Sequence, residues 1–368
     1  MPPELPILPP ARPAEARALT AAAELLATRK DVARVLCTTM GRAQGAFGIS
    51  QCQPAAAVSC WFLDLFPRQL AVTAIDRAAP NLTLSCQADA PPGPFQLALM
   101  PLSKAGEAEL AREQLQAAAL SLELGGTLVA AVDNPRDQWV RAQLADLFPK
   151  VTVQAHDDAT VYIARKQVEL RKVRDFRCEL TFRDRGRLLQ AVSRPGVFSH
   201  RRLDAGARQL IDAAEATPGM RVLDIGCGAG TVALALAARD STVAVHAVDG
   251  NARAVECTLA GAALNGLTNV TAELSCDGIY SGAGEYDLVV ANPPYYADNR
   301  IAELFVNAAR RSLRPGGRLL VVAKRADWYA AMMPESWDQV EHRSSRNYAI
   351  ISALRPRGAA RLGSATGR

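Results

Sequence analysis

Two stretches of this chain match each other at a fixed spacing of 191 residues. Phe95-Gln96-Leu97-Ala98-Leu99 aligns with Tyr286-Asp287-Leu288-Val289-Val290, and Leu124-Gly125-Gly126-Thr127-Leu128-Val129 aligns with Pro315-Gly316-Gly317-Arg318-Leu319-Leu320. A spacing kept through a whole strand-helix-strand unit predicts a duplicated domain. The 368 residues suffice for two cores. Each half alternates apolar strand-like runs with helix-forming runs, which predicts α/β units with parallel, doubly wound sheets. In the first half the pattern predicts strands at Val32–Thr38, Gln69–Ile75, Asn81–Cys86, Phe95–Met100 and Thr127–Val132. Helices are expected at 15–29, Ala56–Phe66, Ser103–Leu124 and Gln138–Phe148.

The halves differ where chemistry would sit. The second half has a strand, Arg221 to Ile225, then the loop Asp224-x-Gly226-Cys227-Gly228-x-Gly230, then a helix from Thr231. Glycines at such a step allow a tight turn and let a ligand touch backbone. No lysine follows them, so the loop is not a P-loop. Asp249, at the tip of the next strand, is spaced to accept from ribose hydroxyls. Asp277 follows the third strand; a plain turn-forming role is the alternative for it. The fourth strand, Tyr286 to Ala291, runs into Asn292-Pro293-Pro294-Tyr295. The two prolines stiffen that step and remove two donors. An amide and a carbonyl there can both accept from an exocyclic NH2, and the tyrosine offers a face for a planar ring. At the same offset the first half has only Pro101-Leu102-Ser103-Lys104, and Gly41 to Gly45 is a poor substitute for the glycine loop. The first half is therefore expected to be an inactive copy, a scaffold or a nucleic-acid clamp.

Charge points to a partner. The net charge is only +5, yet residues 165–202 hold twelve Arg/Lys against four Asp/Glu, leaving −3 for the rest. A local basic belt on a near-neutral protein suits a polyanion. An arginine-rich solvated hairpin is the alternative. No apolar run reaches the ~18 residues of a membrane span. The segment Met1 to Pro13 is proline-rich without an apolar core, which reads as a disordered lead-in and not a secretory signal. Eight cysteines without a Cys-x-x-Cys pair, and four scattered histidines, indicate neither a zinc site nor a disulfide framework. A reducing cytoplasm fits.

The order of glycine loop, Asp249, Asp277 and Asn-Pro-Pro-Tyr resembles class I S-adenosylmethionine-dependent methyltransferases. The resemblance implies two tandem Rossmann-like methyltransferase domains, the N-terminal one degenerate. It implies that Asp224, Gly226, Cys227, Gly228 and Gly230 surround the methionine part of S-adenosyl-L-methionine, that Asp249 binds its ribose with Gly250 and Asn251 nearby, and that Asp277 and Gly278 border its adenine. Asn292, Pro293, Pro294 and Tyr295 would hold the target amine. A narrower resemblance covers most of the chain. The tandem halves, Pro195-Gly196-Val197-Phe198-Ser199 with Leu203-Asp204-x-Gly206 after it, and Asn-Pro-Pro-Tyr look like the bacterial rRNA guanine-N(2) methyltransferases. That implies Phe198 and Asp204 beside the cofactor. Many relatives carry an aromatic and then a histidine after Asn-Pro-Pro; here Tyr295 precedes Tyr296.

The expected organisation is a lead-in at 1–14, a degenerate domain at 15–164, a basic connector at 165–202, a catalytic domain at 203–356 and a loose tail at 357–368. The expected activity is methyl transfer to a guanine amine of ribosomal RNA, small-subunit rRNA favoured, by a cytoplasmic monomer without metal. Methylation of a protein glutamine or of adenine in DNA or RNA, and a nucleic-acid-binding pseudo-methyltransferase, are the alternatives.

Overall fold

The computed structural model describes residues 8–29, 31–75, 78–294, 299–344 and 347–357. It divides into two compact units at the Phe176–Arg177 junction. Residues 1–7 of the expected lead-in, the tail beyond Arg357 and Tyr295 lie outside the described residues.

The first unit contains strands β1 (Arg34–Cys37), β2 (Ala57–Phe62), β3 (Leu82–Cys86), β4 (Phe95–Leu102), β5 (Leu122–Val132), β6 (Val151–Ala155) and β7 (Thr160–Arg165). Its helices are α1 (Pro13–Thr28), α2 (Gln44–Cys52), α3 (Leu65–Ile75), α4 (Ala108–Ser121) and α5 (Trp139–Ala145). The second unit opens with the hairpin β8 (Cys178–Asp184) and β9 (Arg187–Ser193). Strands β10 (Arg221–Ile225), β11 (Ala244–Asp249), β12 (Val270–Leu274), β13 (Tyr286–Ala291), β14 (Leu313–Ala323), β15 (Asp338–Ser344) and β16 (Ala349–Leu354) follow. Its helices are α6 (Ala205–Ala213), α7 (Thr231–Ala237), α8 (Ala252–Leu264), α9 (Arg300–Ser312) and α10 (Asp327–Met332).

The two large sheets have one topology. Their orders are β3-β2-β1-β4-β5-β7-β6 and β12-β11-β10-β13-β14-β16-β15. Successive strand residues face opposite sides, as the pleat requires. Val222, Leu288 and Leu320 pack with α6 and α7, whereas Leu223, Val289 and Leu319 pack with α9 and α10. The first unit repeats this division around Val35 and Leu36.

The duplication extends to a local irregularity. Phe95 pairs with Leu122 and Leu97 with Thr127; Tyr286 pairs with Leu313 and Leu288 with Arg318. The extra residues hold Gly125 and Gly316, whose φ of 87° and 78° suit glycine. Backbone bonds join Gly125 to Lys166 at 2.7 Å and Gly316 to Arg355 at 2.8 Å. The Lys166 side chain donates to the carbonyl of Leu122, and that of Arg355 to the carbonyl of Leu313. Thus each copy satisfies the carbonyl at the end of its preceding helix with a basic side chain.

Three expectations need correcting. The sheets are mixed: β7 and β16 run antiparallel to β5 and β14. The cause is the short link between β6 and β7, which forms a hairpin and leaves no room for a crossover. Ala56–Phe66, expected as a helix, contains β2, and Gln69–Ile75, expected as a strand, lies in α3. Helices α2 and α10 were not anticipated.

Candidate active site

In both sheets the strand order reverses between the first and fourth strands, and open α/β sheets bind ligands at that crevice. In the second unit the crevice lies between β10 and β13, so the glycine loop and the double-proline corner flank it. A single hollow there is lined by Phe198, Asp204, Asp224, Gly226, Cys227, Gly228 and Asn292, together with Ser199, Arg202, Ala207, Ala229, Thr231 and Val232.

The glycine loop is built tightly. Gly226, Gly228 and Gly230 have φ of 73°, 54° and 73°. The amides of Gly226 and Cys227 donate to the Val248 carbonyl at 2.8 and 3.0 Å. A Cβ on Gly230 would meet Thr258 Oγ1 at 2.7 Å, so that glycine is needed for packing. A Cβ on Gly228 would meet only the Phe198 carbonyl, at 4.0 Å. Its bare face is thus the place where a ligand can lie against backbone. Cys227 is buried and burial holds its thiol well above the usual range, so it fills space and is no nucleophile.

Asp224 is buried at the end of β10 and accepts from the Ala233 amide of α7 at 3.1 Å. Burial pushes its carboxyl up to about 7; the Ala233 amide opposes this and the nearby Asp249 charge adds to it. Asp249 accepts from the Gly228 amide at 2.9 Å and the Asn251 amide at 2.8 Å. Its two oxygens thus take one backbone amide each, at the tip of β11 beside the glycine loop. Asn251 caps α8, accepting from Arg253 and Ala254, and donates to the Gly196 carbonyl. Gly250 lies beside Cys276, with 3.5 Å left for an added Cβ.

Not every predicted residue lines the hollow. Asp277 uses Oδ1 for its own turn, accepting from Ser275 Oγ and the Ile279 amide. Gly278, with φ 74°, is pressed against Arg311. These two, with Gly230, Asp249, Gly250, Asn251, Pro293 and Pro294, stand outside its lining.

At the corner, Asn292 Nδ2 donates to Asp204 Oδ2 at 2.9 Å. The same Oδ2 accepts from the Ala207 amide at 2.9 Å and caps α6.

The opposite wall is the loop 194–202, held by α8. Arg194 pairs with Glu256 at 3.0 Å, and Arg253 donates to the Pro195 carbonyl at 2.7 Å. With Asn251 on Gly196, three successive loop residues are tied to one helix. Arg253 is 1% exposed. Past this anchor Ser199 and Arg201 take φ of 58° and 70°, and Phe198 is 58% exposed. A buried arginine gives no sequence signal, so Arg253 was missed as a site residue; so were Ser199 and Arg202, although Ser199 closes the Pro195–Ser199 stretch and Arg202 adjoins Leu203-Asp204.

Much of the basic belt is structural. Lys166 and Arg194 are buried, Arg165 donates to Gly125, and Arg177 and Arg185 pair with Glu256 and Glu215. Arg171, Lys172 and Arg202 are exposed. Among the described residues no group of His, Cys, Asp or Glu is arranged to hold a metal, and no helix is long and apolar enough to cross a membrane.

The first unit lacks this chemistry position by position. Cys37 pairs with Leu99 and Cys60, as Asp224 pairs with Val290 and Ala247. Cys37 therefore stands where Asp224 does, Phe62 where Asp249 does, and Pro101 where Asn292 does. Glu15 instead holds the loop after β1, accepting from Thr39 Oγ1 and the Met40 and Gly45 amides.

Residues 189–352 match the family model described as "Methyltransferase small domain". The chain is 40% identical over 139 residues to ribosomal RNA small subunit methyltransferase C of Pseudomonas aeruginosa (strain LESB58), covering 37% of this chain and 41% of that one. It is 32% identical over 169 residues to the protein of that name from Pseudoalteromonas translucida, covering 44% and 49%. The matches thus span about half or less of these relatives. The fold extends further. The structure described as T. thermophilus 16S rRNA N2 G1207 methyltransferase (RsmC), in complex with AdoMet and guanosine, superposes with a TM-score of 0.74. It covers 95% of this chain and 94% of that chain at 23% identity. Both units therefore share the tandem Rossmann-like methyltransferase fold.

Proposed function

We propose that the second unit transfers a methyl group from S-adenosyl-L-methionine to the exocyclic amine of a guanine in ribosomal RNA, small-subunit rRNA being favoured. The observation that carries this reading is that Asn292 lines the same hollow as Gly226, Cys227 and Gly228. Two further points support it: the match to the methyltransferase small domain, and relatives whose name specifies small-subunit rRNA.

The residues present fit the cofactor. Gly228 offers open backbone, Asp249 offers acceptors to a diol, and Asp224 places a carboxyl beside a cationic group. Asp277 and Gly278 remain the candidates beside the adenine, and Phe198 the cover over the methionine part. When bound, the cofactor supplies a methyl group already activated by its sulfonium. The chain's task is positioning. Asn292 Oδ1 and the Pro293 carbonyl accept from the guanine NH2, which orients the nitrogen lone pair toward the methyl and localises electron density there. Pro294 keeps the corner stiff, and Tyr295 is assigned to stack on the base. The base must first leave its RNA stack. Exposed Arg171, Lys172 and Arg202 are assigned to phosphates, so affinity should fall with salt. One chain carries every residue named, so a monomer suffices, and a ribosomal substrate places the reaction in the cytoplasm. The first unit serves as an inactive copy, a scaffold or an RNA clamp.

The test is Asn292→Ala assayed with methyl-labelled cofactor and small-subunit rRNA, free and as the subunit. Methyl transfer should be lost while calorimetric cofactor binding persists. Normal turnover by this variant would refute the assignment.

A further inference from the structure

The hydrogen bond between Asn292 and Asp204 deepens that reading and rests on it. A primary amide has two faces of opposite sense: its oxygen accepts and its nitrogen donates. A target amine needs an acceptor. An amide turned the other way would set donor against donor and repel the base. Pro293 and Pro294 themselves have no backbone N–H to offer the amide oxygen.

Asp204 supplies a control of that orientation. An ionised carboxylate can only accept. Its Oδ2 takes Nδ2–H of Asn292 at 2.9 Å, across 88 residues of sequence. That bond fixes which end of the amide faces away from Asp204. The carboxylate is itself held, since the same oxygen accepts from the Ala207 amide at 2.9 Å. Capping alone needs one donor from the first turn. The second donor, from the loop after β13, exceeds what a cap requires.

We propose that Asp204 is a positioning residue. It sets the Asn292 amide so that Oδ1 is presented to the substrate amine, and it strengthens that oxygen as an acceptor by drawing on the Nδ2 proton. It acts through Asn292 and not on the cofactor, although the resemblance places it among cofactor contacts.

Two substitutions in the full-length chain separate these roles. Asp204→Ser keeps a good helix cap but its hydroxyl is too short to reach Asn292. Asp204→Asn keeps an acceptor oxygen that can serve both donors. With methyl-labelled cofactor and small-subunit rRNA, Asp204→Ser should lower kcat at least tenfold, with the melting temperature and the cofactor Kd close to wild type. Asp204→Asn should restore most of the lost turnover. A wild-type kcat for Asp204→Ser would overturn the proposal. So would a loss of cofactor affinity equal in both variants, which would make Asp204 a cofactor ligand. Failure of the underlying reading has a separate signature, active Asn292→Ala.

Discussion

At the level of single residues, Asp224 joins structure to pH. Its ordinary carboxylate value is 3.8 and in the folded chain it is pushed up to about 7. Between those values the native state holds a proton that the unfolded state does not. The group's contribution to stability is therefore greatest at the acid end and is lost as pH rises through 7. A cationic ligand reverses the preference, because it favours the ionised carboxylate. Cofactor affinity should thus rise between pH 6 and pH 8, and Asp224→Asn should flatten that rise. Calorimetric titration at the two pH values checks this, and equal slopes for both proteins would dismiss Asp224 as the cause. The sequence displayed Asp224, Asp249 and Asn292 because each sits at a strand's end beside glycine or proline. It did not display the Asn292–Asp204 bond, since neither residue carries a mark of the other.

Among the elements, α8 matters more than its plain composition suggests. Asn251, Arg253 and Glu256 on its first turns fix Gly196, Pro195 and Arg194 in turn. That anchors the wall carrying Phe198, Ser199 and Arg202. Replacing Arg253 by Met should keep the volume but leave the buried Pro195 carbonyl without its donor, at a cost of about 1–3 kcal/mol. Urea unfolding should show that loss, and cofactor binding should weaken with it; unchanged affinity would mean that the wall is held by other means. The bounds of β10, α8 and β12 were legible because the apolar runs there stop at glycines and polar residues. It misled at β2 and α3. The alanines at 55–57 favour helix, although the strand they enter is buried on both faces and needs no alternation. Val72, Thr73 and Ile75 favour strand, but the helix they belong to buries only Ala71 and Ile75. Packing overrode local preference in both places.

On the scale of the whole chain, a second fold copy does not imply a second site. Phe62 replaces the carboxylate that would meet a ribose, and Cys37 and Pro101 replace Asp224 and Asn292. Titration with S-adenosyl-L-methionine should therefore saturate at one molecule per chain, with the single binding event lost on Asp249→Ala. A second equivalent of comparable affinity would contradict the assignment of the first unit as inactive.

The paired glycines after α4 and α9 carry a historical consequence. The crimp at Gly125 and Gly316, and the cation laid over the adjoining carbonyl, persist in a unit stripped of its acidic and amide groups. Architecture has outlasted chemistry there. Anyone rebuilding an ancestral, two-site version of this chain could leave those hinges untouched and rewrite only the strand tips.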